Sequence, residues 1–278
     1  NRYSLYNRPG SVRPVPGSAF LRFLYQNKQS AARFFFFFPS FFHLRSMETV
    51  VSVVLPAAGT GERMNIATPK QFCEVQGKPL VFHTIEAFLA YNWISDIVIV
   101  CAPDQLSAMD CKLRANNLYP KVKLVVGGTT RHRSIYNGIV HMKQHPPDIV
   151  VIHDAVRPLV PAKVLEQVVH EAKLHGGAGP VVPLVSTVVK MTSKGFLQES
   201  LDRSKYAASE TPQAFRYPLL LEAYESCTEE DFDCGTECLA LLLKYCGVQA
   251  KLVPGSDELF KVTYSRDLYA ASGMLKSS

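Results

Sequence analysis

The stretch Val50-Val51-Ser52-Val53-Val54-Leu55-Pro56-Ala57-Ala58-Gly59-Thr60-Gly61-Glu62-Arg63-Met64 decides the fold. Val50 to Leu55 is the kind of short, β-branched run that makes a buried strand, and it empties into a turn of small residues and two glycines. Such a turn can close its backbone N–H groups around an anion. In open α/β sheets ligands bind at the carboxyl ends of strands, so this one segment predicts both the sheet and its binding edge.

Working outward, the chain alternates short apolar runs with amphipathic segments, the pattern of βαβ units on a mostly parallel, doubly wound sheet. Pro79 to Tyr91 reads as a helix with Val81, Ile85, Phe88 and Leu89 on one face. Ile97 to Cys101 is a second strand, and Asp104 is placed to cap a helix running to about Asn116. Val122 to Val126 is a third strand ending at Gly127-Gly128, followed by a helix over Arg131 to Lys143. Ile149 to Ile152 is a fourth strand, after which Pro161 opens a helix that Gly176-Gly177 stop. Past Pro183 the rhythm changes. Thr187 to Met191, a turn at Ser193-Lys194-Gly195 and polar residues to Ser209 predict a protruding β-arm over about 186–209, a shape suited to packing on a partner subunit. The sheet pattern returns with a helix over Thr236 to Tyr245, a strand over Ala250 to Val253, and a last helix that Ser265 is placed to cap.

At 278 residues and 47% hydrophobic the chain is long enough for one large α/β domain. Its charge is unevenly spread: residues 1–46 carry seven basic side chains and no acidic ones, and with the whole chain at +6 this leaves residues 47–278 at −1. The basic balance therefore belongs to a leader and makes no case for nucleic-acid binding. The leader holds Pro9, Pro14, Pro16 and the run Phe34 to Phe38, and is expected to be a disordered or artefactual extension, with Met47 as the natural start; a transit peptide is the alternative. No stretch is long enough to span a bilayer. Seven cysteines without a paired framework suit a reducing compartment, and the cytosol is the expected location.

Three places carry polar residues just after a strand. In the first, Gly59 and Gly61 are followed by Arg63 and Pro69-Lys70-Gln71, an arrangement that grips a triphosphate; a bare glycine turn explains the glycines but not the cations. It lacks the Gly-Lys-Ser/Thr of a P-loop and the third glycine of a dinucleotide fingerprint. The second is His153-Asp154-Ala155-Val156-Arg157-Pro158. There Asp154 either pairs with its neighbouring arginine or positions Mg²⁺ or an incoming substrate, while Arg157 meets a phosphate. The third is Lys261-Val262-Thr263, which alone means nothing. Gly127-Gly128 with Arg131 and Ser134, and Arg203 with Thr211-Pro212-Gln213, are further candidates.

Leu-Pro-Ala-Ala-Gly-x-Gly-x-Arg-Met, Pro-Lys-Gln, His-Asp-Ala-x-Arg-Pro, Thr-Pro-Gln and Lys-Val-Thr, in this order over about residues 50–275, resemble the methylerythritol-phosphate cytidylyltransferase family. The resemblance implies a Rossmann-like nucleotidyltransferase fold over 47–278 that joins CTP to a polyol phosphate and releases pyrophosphate. It implies that Arg63, Lys70 and Lys261 are catalytic. Pro56, Ala57, Ala58, Gly59, Thr60, Gly61, Gly127, Gly128, Arg131, Ser134 and Asp154 would bind CTP. Asp154, Arg157, Thr187, Arg203, Thr211 and Lys261 would bind the polyol phosphate, with Thr187 and Arg203 on an arm that reaches across a homodimer. Mg²⁺ is the implied cofactor, met by Asp154 through the nucleotide.

Two places depart from the bacterial pattern, and both bear on ribose contacts and substrate choice. Val126 stands where an acidic residue precedes the double glycine, and Gly235-Thr236-Glu237-Cys238 replaces a Thr-Asp-Glu-Ala-like helix start. With Arg131-His132-Arg133-Ser134-Ile135 they resemble the vertebrate branch that makes CDP-ribitol for protein O-mannosyl glycans, whose members continue into a further C-terminal domain; this chain is then expected to be a fragment or short isoform. Isoprenoid synthesis from methylerythritol phosphate is the alternative. A hexose-1-phosphate nucleotidyltransferase fits the loop but not the later motifs, and a non-catalytic CTP-binding module is the alternative of another class.

Overall fold

The computed structural model describes residues 49–61, 64 and 68–277. The leader and Arg63 lie outside the described residues. From Glu48 onward the chain forms one unit. In chain order its strands are β1 (Val51–Ala57), β2 (Glu74–Val75), β3 (Lys78–Pro79), β4 (Ile94–Cys101), β5 (Val122–Val126), β6 (Ile149–Ile152), β7 (Gly177–Pro183), β8 (Val188–Met191), β9 (Leu197–Leu201), β10 (Ala207–Ser209), β11 (Gln213–Arg216) and β12 (Lys251–Pro254). The helices are α1 (Leu80–Leu89), α2 (Leu106–Ala115), α3 (Arg131–His141), α4 (Ala162–His175), α5 (Tyr217–Glu225), α6 (Glu229–Cys234), α7 (Cys238–Cys246) and α8 (Asp267–Ser277).

Eight strands make the main sheet, in the order β10-β7-β11-β6-β1-β4-β5, with β12 beside β7. Strand β1 runs parallel to β4 and β6, and β4 parallel to β5. The strand order therefore reverses at β1, with β4 on one side and β6 on the other, and that switch point opens a crevice at the carboxyl ends of the strands. Each central strand alternates between two cores, as a strand buried on both faces must. Val53, Leu55, Ile97 and Ile99 face α1, α2 and α4, where Ile85, Phe88, Leu113 and Val168 are fully buried; Val54, Val98 and Val100 face α3, α5 and α7 through Ile135, Leu220 and Leu242.

The structure corrects the expected elements in several places. Strand β7 begins directly after Gly176, which caps α4 at φ 91°, so Gly177 starts a strand rather than only ending a helix. Strand β11 lies antiparallel between β6 and β7, and was not foreseen. The hairpin of β8 and β9 turns at Gly195, as expected, but β10 has returned to the main sheet against β7, so the arm ends before Ala207. Asp104 sits inside a 3-10 turn over Pro103–Gln105 and does not cap α2. Asp267 stands in the first turn of α8, as expected, and its carboxylate accepts the N–H groups of Thr263 (2.9 Å) and Tyr264 (2.8 Å) in the segment before the helix. Among the described residues no helix is long and apolar enough to cross a membrane.

Candidate functional site

Three loops converge at the switch point: the one after β1, the turn between β5 and α3, and the segment after β6. Their placement follows from local chemistry. Gln71 is buried and its Nε2 donates to the carbonyls of Ala57 (2.7 Å) and Gly59 (3.0 Å), so it pins the glycine turn open. Gly61 is at φ 76°, and a Cβ there would stand 3.0 Å from the Lys70 nitrogen; only glycine lets the two ends of this loop close together. Gly127 is required for a different reason, because a Cβ would come within 2.5 Å of Ala58 Cβ, where the first two loops touch. Ser134 Oγ accepts the Gly128 N–H (3.1 Å) and donates to the Thr130 carbonyl (2.9 Å), and Thr130 caps α3.

These loops enclose a cavity of about 200 Å³ lined by Pro56, Ala57, Ala58, Gly59, Lys70 and Gln71 from the first loop. Gly128, Arg131 and Ser134 line it from the second, and Asp154 and Lys261 close it. A second chamber of about 280 Å³ shares Arg131, Asp154 and Lys261 and adds Arg157, Glu210, Thr211, Gln213, Thr236 and Glu237. The two chambers thus meet at one charged cluster.

That cluster is built on Asp154, whose side chain is 10% exposed. Lys261 Nζ lies 2.7 Å from Oδ2, Arg131 donates to Oδ1 at 3.1 and 3.3 Å, and Arg157 Nε stands 3.5 Å from Oδ2. Arg157 also pairs with Glu210 (3.3 Å) and donates to the Leu259 carbonyl. Burial opposes ionisation of Asp154, but Arg131, Lys261 and Arg157 outweigh it and hold the carboxyl well below the usual carboxylate range. Burial works against the Arg131 charge as well, yet Asp154 keeps its pKa above the ordinary guanidinium value. Lys70, Arg131 and Lys261 against Asp154 leave an excess positive charge facing the first chamber, which suits phosphate oxygens, whereas in the second chamber Arg131, Arg157 and Lys261 are matched by Asp154, Glu210 and Glu237.

Supporting groups hold this cluster in place. The Asp154 N–H donates to Thr211 Oγ1 (3.2 Å), so Thr211 serves first as a brace. His153 Nε2 meets the Arg157 carbonyl at 3.1 Å, and burial pushes its pKa down to about 4, which keeps it neutral inside the core.

Of the residues named from sequence, ten line the first cavity together: Pro56, Ala57, Ala58, Gly59, Lys70, Gly128, Arg131, Ser134, Asp154 and Lys261. Arg157 and Thr211 line the second chamber. Thr60, Gly61 and Gly127 belong to the same loops without lining either one. Thr187 and Arg203 lie on the exposed arm, away from both; Arg203 donates to the Val185 carbonyl. Of the wall formed by Glu210, Gln213, Thr236 and Glu237, sequence reasoning names Gln213 as a candidate and ties Thr236-Glu237 to substrate choice, and it misses Glu210. The only signal for Glu210 is its place directly before Thr211-Pro212-Gln213.

Fold and site together define an α/β protein with a cation-lined crevice at the switch point of a doubly wound sheet. The family described as "IspD: 2-C-methyl-D-erythritol 4-phosphate cytidylyltransferase" matches residues 51–277, and the chain belongs to that family. It is 51% identical over 235 residues to D-ribitol-5-phosphate cytidylyltransferase of Xenopus tropicalis, covering 82% of this chain and 57% of that protein. The human protein of the same name is 47% identical, with 51% of its length covered, so the chain spans little more than half of these vertebrate relatives. The 2-C-methyl-D-erythritol 4-phosphate cytidylyltransferase of Desulforamulus reducens is 34% identical, over 81% of this chain and 96% of that one. Among solved structures, the enzyme of that name from Thermus thermophilus superposes with a TM-score of 0.64 at 25% identity, over 82% of this chain and 99% of that one.

Proposed function

We propose that this chain transfers the cytidylyl group of CTP to D-ribitol 5-phosphate, giving CDP-ribitol and pyrophosphate, for protein O-mannosyl glycan synthesis. The observation that carries the reading is the pair of chambers joined at Asp154, Arg131 and Lys261: one has a glycine loop and Lys70 for a triphosphate, the other has Arg157 for a second phosphate. The vertebrate relatives, at 47–51% identity, favour ribitol phosphate over methylerythritol phosphate as acceptor.

In this reaction an oxygen of the acceptor phosphate attacks the α-phosphorus of CTP in line. A P–O bond forms there, the bond to the oxygen bridging α- and β-phosphorus breaks, and its electron pair leaves on pyrophosphate. A phosphate monoester is already anionic at neutral pH, so no protein base has to remove a proton. The work of the chain is positioning and charge stabilisation. The Gly59 turn, Lys70 and Arg63 hold the triphosphate. Gly127, Gly128 and Ser134 shape the end that receives base and ribose. Lys261, fixed by Asp154, stands where the two phosphates approach and offsets the charge that builds between them.

The pocket offers Mg²⁺ a single carboxylate, Asp154, and among the described residues no three His, Cys, Asp or Glu side chains converge on a cage. That donor set fits an ion carried in on the triphosphate, which supplies most of its oxygens, rather than one held by the protein alone. Bound there, Mg²⁺ would supply further neutralisation of phosphate charge.

The arm is assigned to a homodimer. Met191 (67%), Phe196 (69%) and Leu197 (68%) are exposed apolar side chains that a partner subunit would cover, and Thr187 and Arg203 would then serve the partner's acceptor chamber. All seven cysteines are free thiols, which suits a reducing compartment and supports our assignment of the reaction to the cytosol. The test is pyrophosphate release by the full chain from CTP and Mg²⁺, with ribitol 5-phosphate and methylerythritol 4-phosphate in competition. Preference for the latter moves the protein to isoprenoid synthesis, and CTP binding without pyrophosphate release makes it a binding module.

A further inference from the structure

The second chamber holds three acids, two of which are neutralised by the protein itself. Asp154 is ringed by Arg131, Arg157 and Lys261, and Glu210 pairs with Arg157. Glu237 lines the same chamber, yet forms no ion pair with any described residue. Its carboxylate is not loose: Oε1 accepts the Leu239 N–H at 3.1 Å and caps α7, which leaves the second oxygen without a donor among the described residues. A lone carboxylate beside a phosphate site repels the ligand's anionic end. It is complementary only to a part of the ligand that carries hydrogen-bond donors. A phosphate dianion has none, so the donors have to be hydroxyls on the carbon chain.

We propose that Glu237 is a specificity-determining residue that accepts hydrogen bonds from the hydroxyls of the acceptor, while Arg157 and Lys261 take its phosphate. This rests on the reading of the second chamber as the acceptor site. It makes the acceptor a polyhydroxylated phosphate monoester with its hydroxyls toward the α7 end. A site built to hydrogen-bond a hydroxyl disfavours an analogue lacking it, because the half-buried carboxylate then faces an apolar chain.

The test separates capping from recognition. Glu237→Ser keeps a preferred N-cap residue but is too short to reach into the chamber. Glu237→Gln keeps the reach and removes the charge. Binding of ribitol 5-phosphate and of n-pentyl phosphate to the full chain is measured by calorimetry, with CTP binding and Tm as controls. For the parent, the polyol phosphate should bind on the order of 10–100-fold tighter, the range of a charge-assisted hydrogen bond. Glu237→Ser should bring the two ligands to within about threefold, Glu237→Gln should fall between, and CTP affinity and Tm should not move. Full preference in Glu237→Ser, or no preference in the parent, overturns the proposal. A parent that binds neither monoester overturns the acceptor reading beneath it, a distinct result because a wrong assignment of Glu237 alone leaves pentyl phosphate binding intact.

Discussion

Replacing Asp154 with Asn removes the one negative charge that three cations share. Deleting one partner of a buried ion pair costs about 3–5 kcal/mol, because the remaining charge is stranded. Arg157 is 8% exposed but keeps Glu210 (3.3 Å) as a partner, and the side chains of Arg131 (30%) and Lys261 (33%) reach solvent that screens them, so the lower end applies, about 3 kcal/mol. At roughly 2–4 °C per kcal/mol for a domain of this size, Tm should fall by about 6–12 °C. Added CTP supplies the missing negative charge, so its stabilising shift should be larger in Asp154→Asn than in the parent, even though the variant turns over poorly. The sign with pH also follows. The folded pKa of Asp154 is depressed, so its contribution is complete above the unfolded value of about 3.9 and is lost as pH falls below it. The stability gap between parent and variant, measured by urea unfolding, should be constant from about pH 5 upward and close below about pH 4. A loss under about 1 kcal/mol, or a gap that closes at neutral pH, would refute the argument that this carboxylate holds the cluster.

Other outcomes follow from the same geometry. Lys70→Ala should lower turnover on the order of 10²–10³-fold with the fold intact, as for loss of one preorganised donor at developing charge, measured by pyrophosphate release. Gln71→Leu frees the carbonyls of Ala57 and Gly59 and should raise the KM for CTP about tenfold while leaving the acceptor KM unchanged. His132 and His153 are both buried with pKa values pushed down to about 4, so they cost nothing above about pH 6.5 and destabilise the fold as pH falls from there toward 4. Urea unfolding across that range should therefore show stability declining with acid, and His132→Gln should flatten the decline. Phe196→Glu with Leu197→Glu on the arm should give a monomer by light scattering if the arm is the dimer contact, with Tm of the domain unaffected.

Much of this fold was legible because β1, β4, β5 and β6 are continuous β-branched runs and the helices between them carry apolar side chains at helical spacing. Strand β7 was hidden by its composition. Gly177, Ala178, Gly179 and Pro180 have low strand propensity, but the glycines are needed where Leu242 and Leu239 pack directly on the backbone; Cβ atoms there would meet those side chains at 2.5 and 2.9 Å. Helix α6 carried a readable start, Thr228 three residues before Asp231, and the two form a reciprocal capping box. The short apolar run at Tyr217–Glu225 gave no such cue, since Pro218 at its start suits a turn as well as a first helical turn.

The site divides in the same way. Cations beside glycines predict a phosphate loop from local spacing alone, and Lys70, Arg131, Asp154 and Lys261 do converge. The wall at Glu210 and Glu237 comes from long-range pairing of β11 with β6 and from the packing of α7, neither of which any local pattern encodes.

The most direct test of the central claim is pyrophosphate release by the full chain from CTP and Mg²⁺ with ribitol 5-phosphate, methylerythritol 4-phosphate or glucose 1-phosphate as acceptor. Release fastest with ribitol 5-phosphate, and lost in Lys70→Ala and Lys261→Ala, is the expected result. Equal release with glucose 1-phosphate, or CTP binding with no release for any acceptor, would contradict it.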